Sequence, residues 1–387
     1  MRVSIRTGGL AALALLALLT VGASTAATRN SDPRVAFLSG GRLVVLDLST
    51  GTRRIALAQA PVQALAWSGD GRLLSDGGRI VGGPTLPTTT LDWSPTGETA
   101  AYQTKAGAVM LWTPAGGSRT ILPASWGASS FAWGANGELG VGRSTRARHD
   151  VWIWKRGRLT RVATATGSDP RPIVAGLDGR GRVLWWNDPY SSASLAADGL
   201  TLYANGTKLA QTLVFPDYVA HCGGRLAVAA GNDRYTTDGK RILLQGRDVS
   251  RDPSRSWVSP ACNSTGTLVA AAGRNWVEPR IGLGERRTIW ELEPQRAQLT
   301  HPPAGWTDEN PRMLADGSIL FVRTRETTTK DASTGTWRTV ATGRLELIAG
   351  GRTRLVGTTS WTGDGFGGSY VQYYGHYRWP WLVAVTS

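Results

Sequence analysis

Short stretches in which apolar and polar residues alternate recur between glycine-bearing polar breaks from Val35 onward. A period of two interrupted by such breaks predicts β-strands joined by tight turns, and no long helix-favouring stretch follows residue 26. The breaks share a frame. Trp67–Leu73 reads W-S-G-D-G-R-L, Trp93–Thr99 reads W-S-P-T-G-E-T and Trp133–Leu139 reads W-G-A-N-G-E-L. Leu177–Val183 and Cys262–Leu268 keep the frame, and Cys222–Leu226 and Leu314–Ile319 are shortened versions. In each copy an apolar strand leads into a polar stretch ending in Gly, which supplies the positive φ of a turn, and a second apolar run returns.

After Trp93 the return strand is Ala100–Gln103, a third strand is Val109–Trp112 and a fourth is Arg119–Leu122, so the unit is a four-stranded meander. Successive anchors lie 26, 40, 44, 45, 40 and 52 residues apart, and most of these intervals fit one propeller blade. A partial unit from Val35 to Leu57 lacks an innermost strand, which Trp381–Val385 could supply. Pairing the two segments would close the ring and remove its exposed edges. The expected fold is therefore all-β, a single closed β-propeller of seven or eight four-stranded blades. The 26-residue interval after Trp67 is too short for four ordinary strands and leaves the blade number open.

The frame W-S-P-x-G-x-x-x-A-Y at Trp93 resembles the TolB-type, WD40-like propeller repeat, whose consensus centres on W-S-P-D-G. The resemblance covers essentially all of residues 27–387 and implies an architecture more than an activity. That repeat occurs in periplasmic scaffolds, in secreted sensors and in the propellers attached to serine peptidases. The recurring Trp residues are expected in the inner-strand core.

Residues 1–26 read as a secretory signal: Arg2 and Arg6 precede an apolar run from Leu10 to Val21, followed by Ala23, Ser24 and Ala26. The run is short of the roughly 20 residues that span a bilayer, so a secreted, extracellular or periplasmic protein without a stable membrane span is expected, with residues 27–387 as the propeller. In such a compartment the two cysteines, Cys222 and Cys262, are expected to form a disulfide, the alternative being two buried thiols. Both close the first strand of their unit just before its Gly turn, so they occupy equivalent places on neighbouring blades. The formal net charge of +15 favours anionic partners outside the cell. Basic residues are spread along the chain, and no nucleic-acid groove is indicated.

The usual catalytic constellations are missing. His149, His221, His301 and His376 are scattered, no H-E-x-x-H or paired-Cys metal motif occurs, and no G-x-S-x-G elbow appears. No metal or cofactor is expected. Gly363–Gly368 formally satisfies G-x-G-x-x-G but reads as a loop, with no strand leading into it and no helix after it. A non-catalytic binding or scaffold propeller is the expected function. The alternative is a secreted propeller enzyme, a glycoside hydrolase or lyase, acting on an extracellular polysaccharide, because propellers assemble sites from loops distant in sequence.

Five long connections, Arg143–Asp150, Asn187–Asp198, Gly231–Gly239, Gly273–Arg287 and Arg323–Trp337, fall on the face that carries the links between blades. Insertions on one face of a repeat array mark its binding face. Arg146, His149, Tyr190, Tyr235, Trp276 and Trp337 are the expected partner contacts. The expected partner of this monomer is a cell-envelope protein or an anionic or polysaccharide wall polymer. An aromatic tail from Tyr370 to Trp381 could bind sugar rings or pack between the first and last blades.

Overall fold

The computed structural model describes residues 32–59, 64–88, 90–167, 170–189, 200–212, 216–231, 239–274, 286–365 and 382–386. These form seven four-stranded antiparallel sheets and one three-stranded sheet, the blades of an eight-bladed propeller. Blade 1 is composite. β1 (Arg34–Ser39), β2 (Arg42–Asp47) and β3 (Arg53–Leu57) are completed by β31 (Val383–Val385), which sets Val385 against Val35 and Val383 against Phe37. The ring thus closes as its end patterns suggested, through the segment expected to supply the missing strand.

Among the described residues blade 2 holds β4 (Leu65–Trp67), β5 (Leu74–Asp76) and β6 (Arg79–Ile80), which accounts for the short interval before Trp93. Blades 3 to 8 each run through four consecutive strands. Their first strands are β7 (Leu91–Trp93), β11 (Ala128–Trp133), β15 (Pro170–Leu177), β19 (Val219–Cys222), β23 (Arg255–Cys262) and β27 (Thr307–Met313).

Hydrophobic packing joins the blades in sequence around the ring. Trp67 and Leu74 pack with Leu43 and Val45 between blades 2 and 1, and Ile80 packs with Trp93 and Trp112 between blades 2 and 3. Leu111 with Leu139 and Val141, Val151 with Val174, Leu202 with Val228, and Trp257 with Cys222 and Phe321 continue the series. Leu320 and Leu347 with Val35 and Phe37 complete it. Each strand alternates its side chains between two faces, so each blade feeds both neighbouring interfaces. Trp67 and Trp93 are buried core residues, as expected of the repeat.

The two ends of the ring are built differently. At the turn end, where first and second strands connect, neighbouring turns abut through their backbones. A β-carbon on Gly179 would lie 2.7 Å from the Gly224 Cα, and one on Gly223, where φ is +55°, would lie 2.6 Å from the Ser264 carbonyl oxygen. Only glycine fits both places. The Cys222–Cys262 disulfide joins the first strands of blades 6 and 7 at this end, with Cα atoms 5.3 Å apart. The expected pairing and blade register are therefore both present.

At the loop end, two of the expected long loops are strands. β12 (Leu139–Thr145) and β13 (Arg148–Lys155) leave only Arg146 and Ala147 between them. β28 (Ile319–Lys330) and β29 (Trp337–Ala349) likewise take up most of Arg323–Trp337, leaving Asp331–Thr336 as the turn. Polar residues at alternate positions resemble loop in the sequence, but a strand exposed on one face needs few apolar residues. The reading of Gly363 as unsupported loop is also corrected: β30 (Arg352–Gly365) leads directly into that stretch.

Candidate functional site

Among the expected contacts, Arg146 lies exposed in the tight turn of blade 4. His149 follows on β13 opposite Ser144, whose hydroxyl is 3.2 Å from His149 Nδ1. Trp337 begins β29 in blade 8 and is 37% exposed, with the Lys330 ammonium 5.7 Å from its ring centroid. Tyr190, Tyr235 and Trp276, like the aromatic tail and the N-terminal signal, lie outside the described residues. The structure places Arg146, His149 and Trp337 at the same end but on blades four positions apart in a ring of eight, so they form no single contact.

Blade 8 is the largest unit. β27 pairs with β28 only as far as Thr307–Thr324, while β28, β29 and β30 continue together to the Lys330–Trp337–Gly365 level. The result is a three-stranded overhang at the loop end. Its register places Arg325, Thr342 and Ser360 side by side, then Thr327, Val340 and Thr362, then Thr329, Arg338 and Asp364. Directly opposed residues share a face; Arg325, Thr327, Thr329, Arg338, Thr342, Ser360 and Thr362 are exposed and Val340 is half-buried. The overhang thus presents a wall of hydroxyls flanked by Arg325 and Arg338.

Strand alternation fixes which way this wall faces. Phe321 and Ile319, in phase with Arg325 and Thr327, pack with the core of blades 6 and 7, whereas Leu320 and Val322 pack against blade 1. The wall therefore faces blade 7. Trp337 is in the opposite phase, with Thr324, Thr339 and Ala341, which are buried.

Below the wall, the loop half of blades 6 to 8 is rich in buried charge. The Arg323 guanidinium donates from Nε to Asp308 Oδ1 at 2.7 Å and reaches Glu346 Oε2 at 2.9 Å. Burial opposes the Arg323 charge, but the Asp308 hydrogen bond and both carboxylates outweigh it and hold its pKa above the usual value. Burial pushes the Glu346 carboxyl up, against the pull of Arg323 and Arg344.

The first strands of blades 7 and 8 each carry a bulge with a non-glycine residue in the left-handed region: Ser259 at φ +52° and Asn310 at φ +49°. Ser259 Oγ donates to Asp217 Oδ2 at 2.8 Å across to blade 6. Asn310 is 1% exposed, and neither end of its amide is hydrogen-bonded among the described residues. Backbone strain of this kind clusters where the surroundings dictate the shape. Sequence gave no signal for either bulge.

Three inner-strand groups with shifted ionisation come from blades 3, 6 and 8. Burial raises the Asp92 carboxyl to about 6, against a hydrogen bond of 2.8 Å from the Trp133 backbone N–H of blade 4. Burial lowers the His221 imidazole, against the attraction of Asp178. Burial also lowers the Arg312 guanidinium, opposed by Asp217. His221 is nonetheless exposed, and Asp92 and Arg312 are partly so. Accessible surface combined with surrounding protein is what side chains beside a narrow axial channel have. Among the described residues no three His, Cys, Asp or Glu side chains are grouped to hold a metal ion.

A scan of protein-family models and a search of curated proteins give no match. Solved structures are similar in arrangement. The acylaminoacyl peptidase of Pyrococcus horikoshii matches at 11% identity and TM-score 0.43, over 84% of this chain and 50% of the peptidase, so the chain spans half of that protein's length. A putative TolB from Agrobacterium tumefaciens matches at 13% identity and TM-score 0.26, over 87% and 99% of the two chains. The C-terminal WD40 domain of Sif2 matches at 11% identity and TM-score 0.46, over 76% and 91%. The class defined by the chain's own strand topology is the eight-bladed β-propeller.

Proposed function

We propose that this chain is a non-catalytic binding propeller of the cell envelope or extracellular space, and that it holds an anionic polysaccharide against the wall of blade 8. The observation that carries this reading is the overhang, whose exposed face combines hydroxyls from three strands with Arg325 and Arg338. Hydroxyls exchange hydrogen bonds readily with sugar hydroxyls, and guanidinium groups match carboxylate or phosphate oxygens. A protein partner suits this face less well, because interface hot spots centre on aromatic and Arg anchors and are poor in Ser and Thr. The disulfide and the signal-like N-terminus support a place outside the cytoplasm.

The enzyme alternative draws on Asp92, His221 and Arg312, inner-strand groups of blades 3, 6 and 8. Polygalacturonate, with dextran as a neutral control, tests the reading. Retention on polygalacturonate should fall steeply with salt and drop at least tenfold in the Arg325→Ala/Arg338→Ala variant, while Trp337→Ala retains it. Equal retention on dextran would remove the anionic reading. Release of new reducing ends during incubation would replace binding by hydrolysis or lysis.

A further inference from the structure

We infer that blade 7 carries a separate small-molecule site at the loop end, a cavity of 270 Å³ that takes the oxyanion of a ligand about one sugar ring in size. Arg255, Arg286, Thr288, Gln298, His301 and Pro302 line it. The site goes beyond the polymer wall: it lies on another blade and is lined by different residues. Its volume is below the roughly 300–1,000 Å³ of pockets for drug-sized molecules, which sets the ligand's size.

Its charge balance favours an anion. Arg255 and Arg296 share one carboxylate, Asp252, at 3.2 and 3.5 Å. Arg286 donates to the Pro302 carbonyl and forms no ion pair among the described residues. Among the described residues that line the cavity there is no carboxylate.

The donors are also held in place. The Arg255 guanidinium lies 5.0 Å from the Trp290 ring centroid, with its Nε turned to Asp252. Arg296 stacks on the same ring at 5.6 Å and on Trp257 at 5.4 Å, and these two indoles meet edge to face. A guanidinium pinned by an aromatic face and a carboxylate has little freedom left to lose on binding. Gln298 Nε2 lies 3.1 Å from His301 Nδ1 and 2.8 Å from the Thr300 carbonyl oxygen. An amide NH₂ can only donate, so Nδ1 is the acceptor and His301 carries its proton on Nε2. A second type of N–H donor therefore stands beside the guanidinium groups.

A sugar carboxylate and a sugar phosphate both present such an oxyanion. Titration calorimetry with glucuronate, glucose 6-phosphate and glucose tells them apart. One or both anions should bind while glucose does not, and the stronger of the two names the source. Arg286→Gln should weaken that binding by about tenfold or more, as expected for a lost charge-assisted hydrogen bond, and Arg286→Lys should recover part of it. An unchanged melting temperature in both variants would show that they remain folded. Arg325→Ala/Arg338→Ala should leave small-anion binding intact, which separates failure here from failure of the polymer wall. Binding of glucose as strong as that of the anions, binding by none of the three, or indifference to Arg286→Gln would each overturn the assignment.

Discussion

The turn end and the loop end of this ring are held by different physics. At the turn end, glycine backbones touch, a disulfide ties blade 6 to blade 7, the turns are short, and the buried ion pair of Asp178 with Arg182 stays within its own turn. At the loop end, charges are buried in pairs, two inner strands adopt left-handed residues, and strands of unequal length project. Backbone contact and covalent linkage are insensitive to pH, whereas buried ion pairs depend on the ionisation of every member. A repeat protein can thus fix its ring at one end and vary the other, where a partner meets it.

The largest test of this division is Arg323→Leu. It leaves Asp308 buried without its cation and Glu346 with Arg344 alone, and should cost about 3–5 kcal/mol at neutral pH. The loss should shrink as pH falls and the carboxyls protonate, read from denaturant unfolding at several pH values. A loss independent of pH would mean that packing, rather than charge, holds the loop end.

At the turn end, the Cys222→Ser/Cys262→Ser double variant opens a loop with a sequence separation of 40 residues. The chain-entropy relation gives a loss of about 4 kcal/mol for this separation. The same loss should appear at pH 5 and pH 8, in contrast to Arg323→Leu, and pH-dependent destabilisation would erase the distinction between the ends.

The smallest effect expected is a gain. Burial holds the Asp92 carboxyl at about 6 when folded, against 3.8 for the free group. Its stabilising contribution is therefore complete below the unfolded value and is lost as pH rises through about 6. Asp92→Asn keeps an acceptor for the Trp133 N–H but cannot ionise. It should match the parent near pH 4 and exceed it by at most about 3 kcal/mol at pH 8, from about 1.36 kcal/mol per unit of pKa difference. A variant no more stable than the parent at pH 8 would show that Asp92 ionises without penalty.

What the sequence made legible follows the same division. The turn end is written in local chemistry: Gly closing the polar stretch of each frame, Trp opening three of them, and two Cys at equivalent places. Those signals lead directly to the blade register, the disulfide and the closing role of Val383–Val385. The loop end is written across strands. Thr327, Val340 and Thr362 form one row only after β28, β29 and β30 are aligned, so no window of sequence shows the wall. The run Thr327-Thr328-Thr329 was its one local trace, and its polarity suggested loop. The blade 7 pocket was harder still to see, because Arg255, Arg286 and His301 meet only through the pairing of β23, β24 (Leu268–Arg274), β25 (Thr288–Glu293) and β26 (Ala297–Gln298).

The composite first blade also sets an order of events during synthesis. The Arg34 N–H finds its acceptor, the Thr386 hydroxyl, 352 positions later, and Val35–Phe37 wait for β31 over the same span. While the ribosome makes the intervening residues, the inner edge of blade 1 remains an unpaired template of backbone donors and acceptors beside apolar side chains. Such an edge invites pairing with the wrong strand, including its counterpart on another nascent chain.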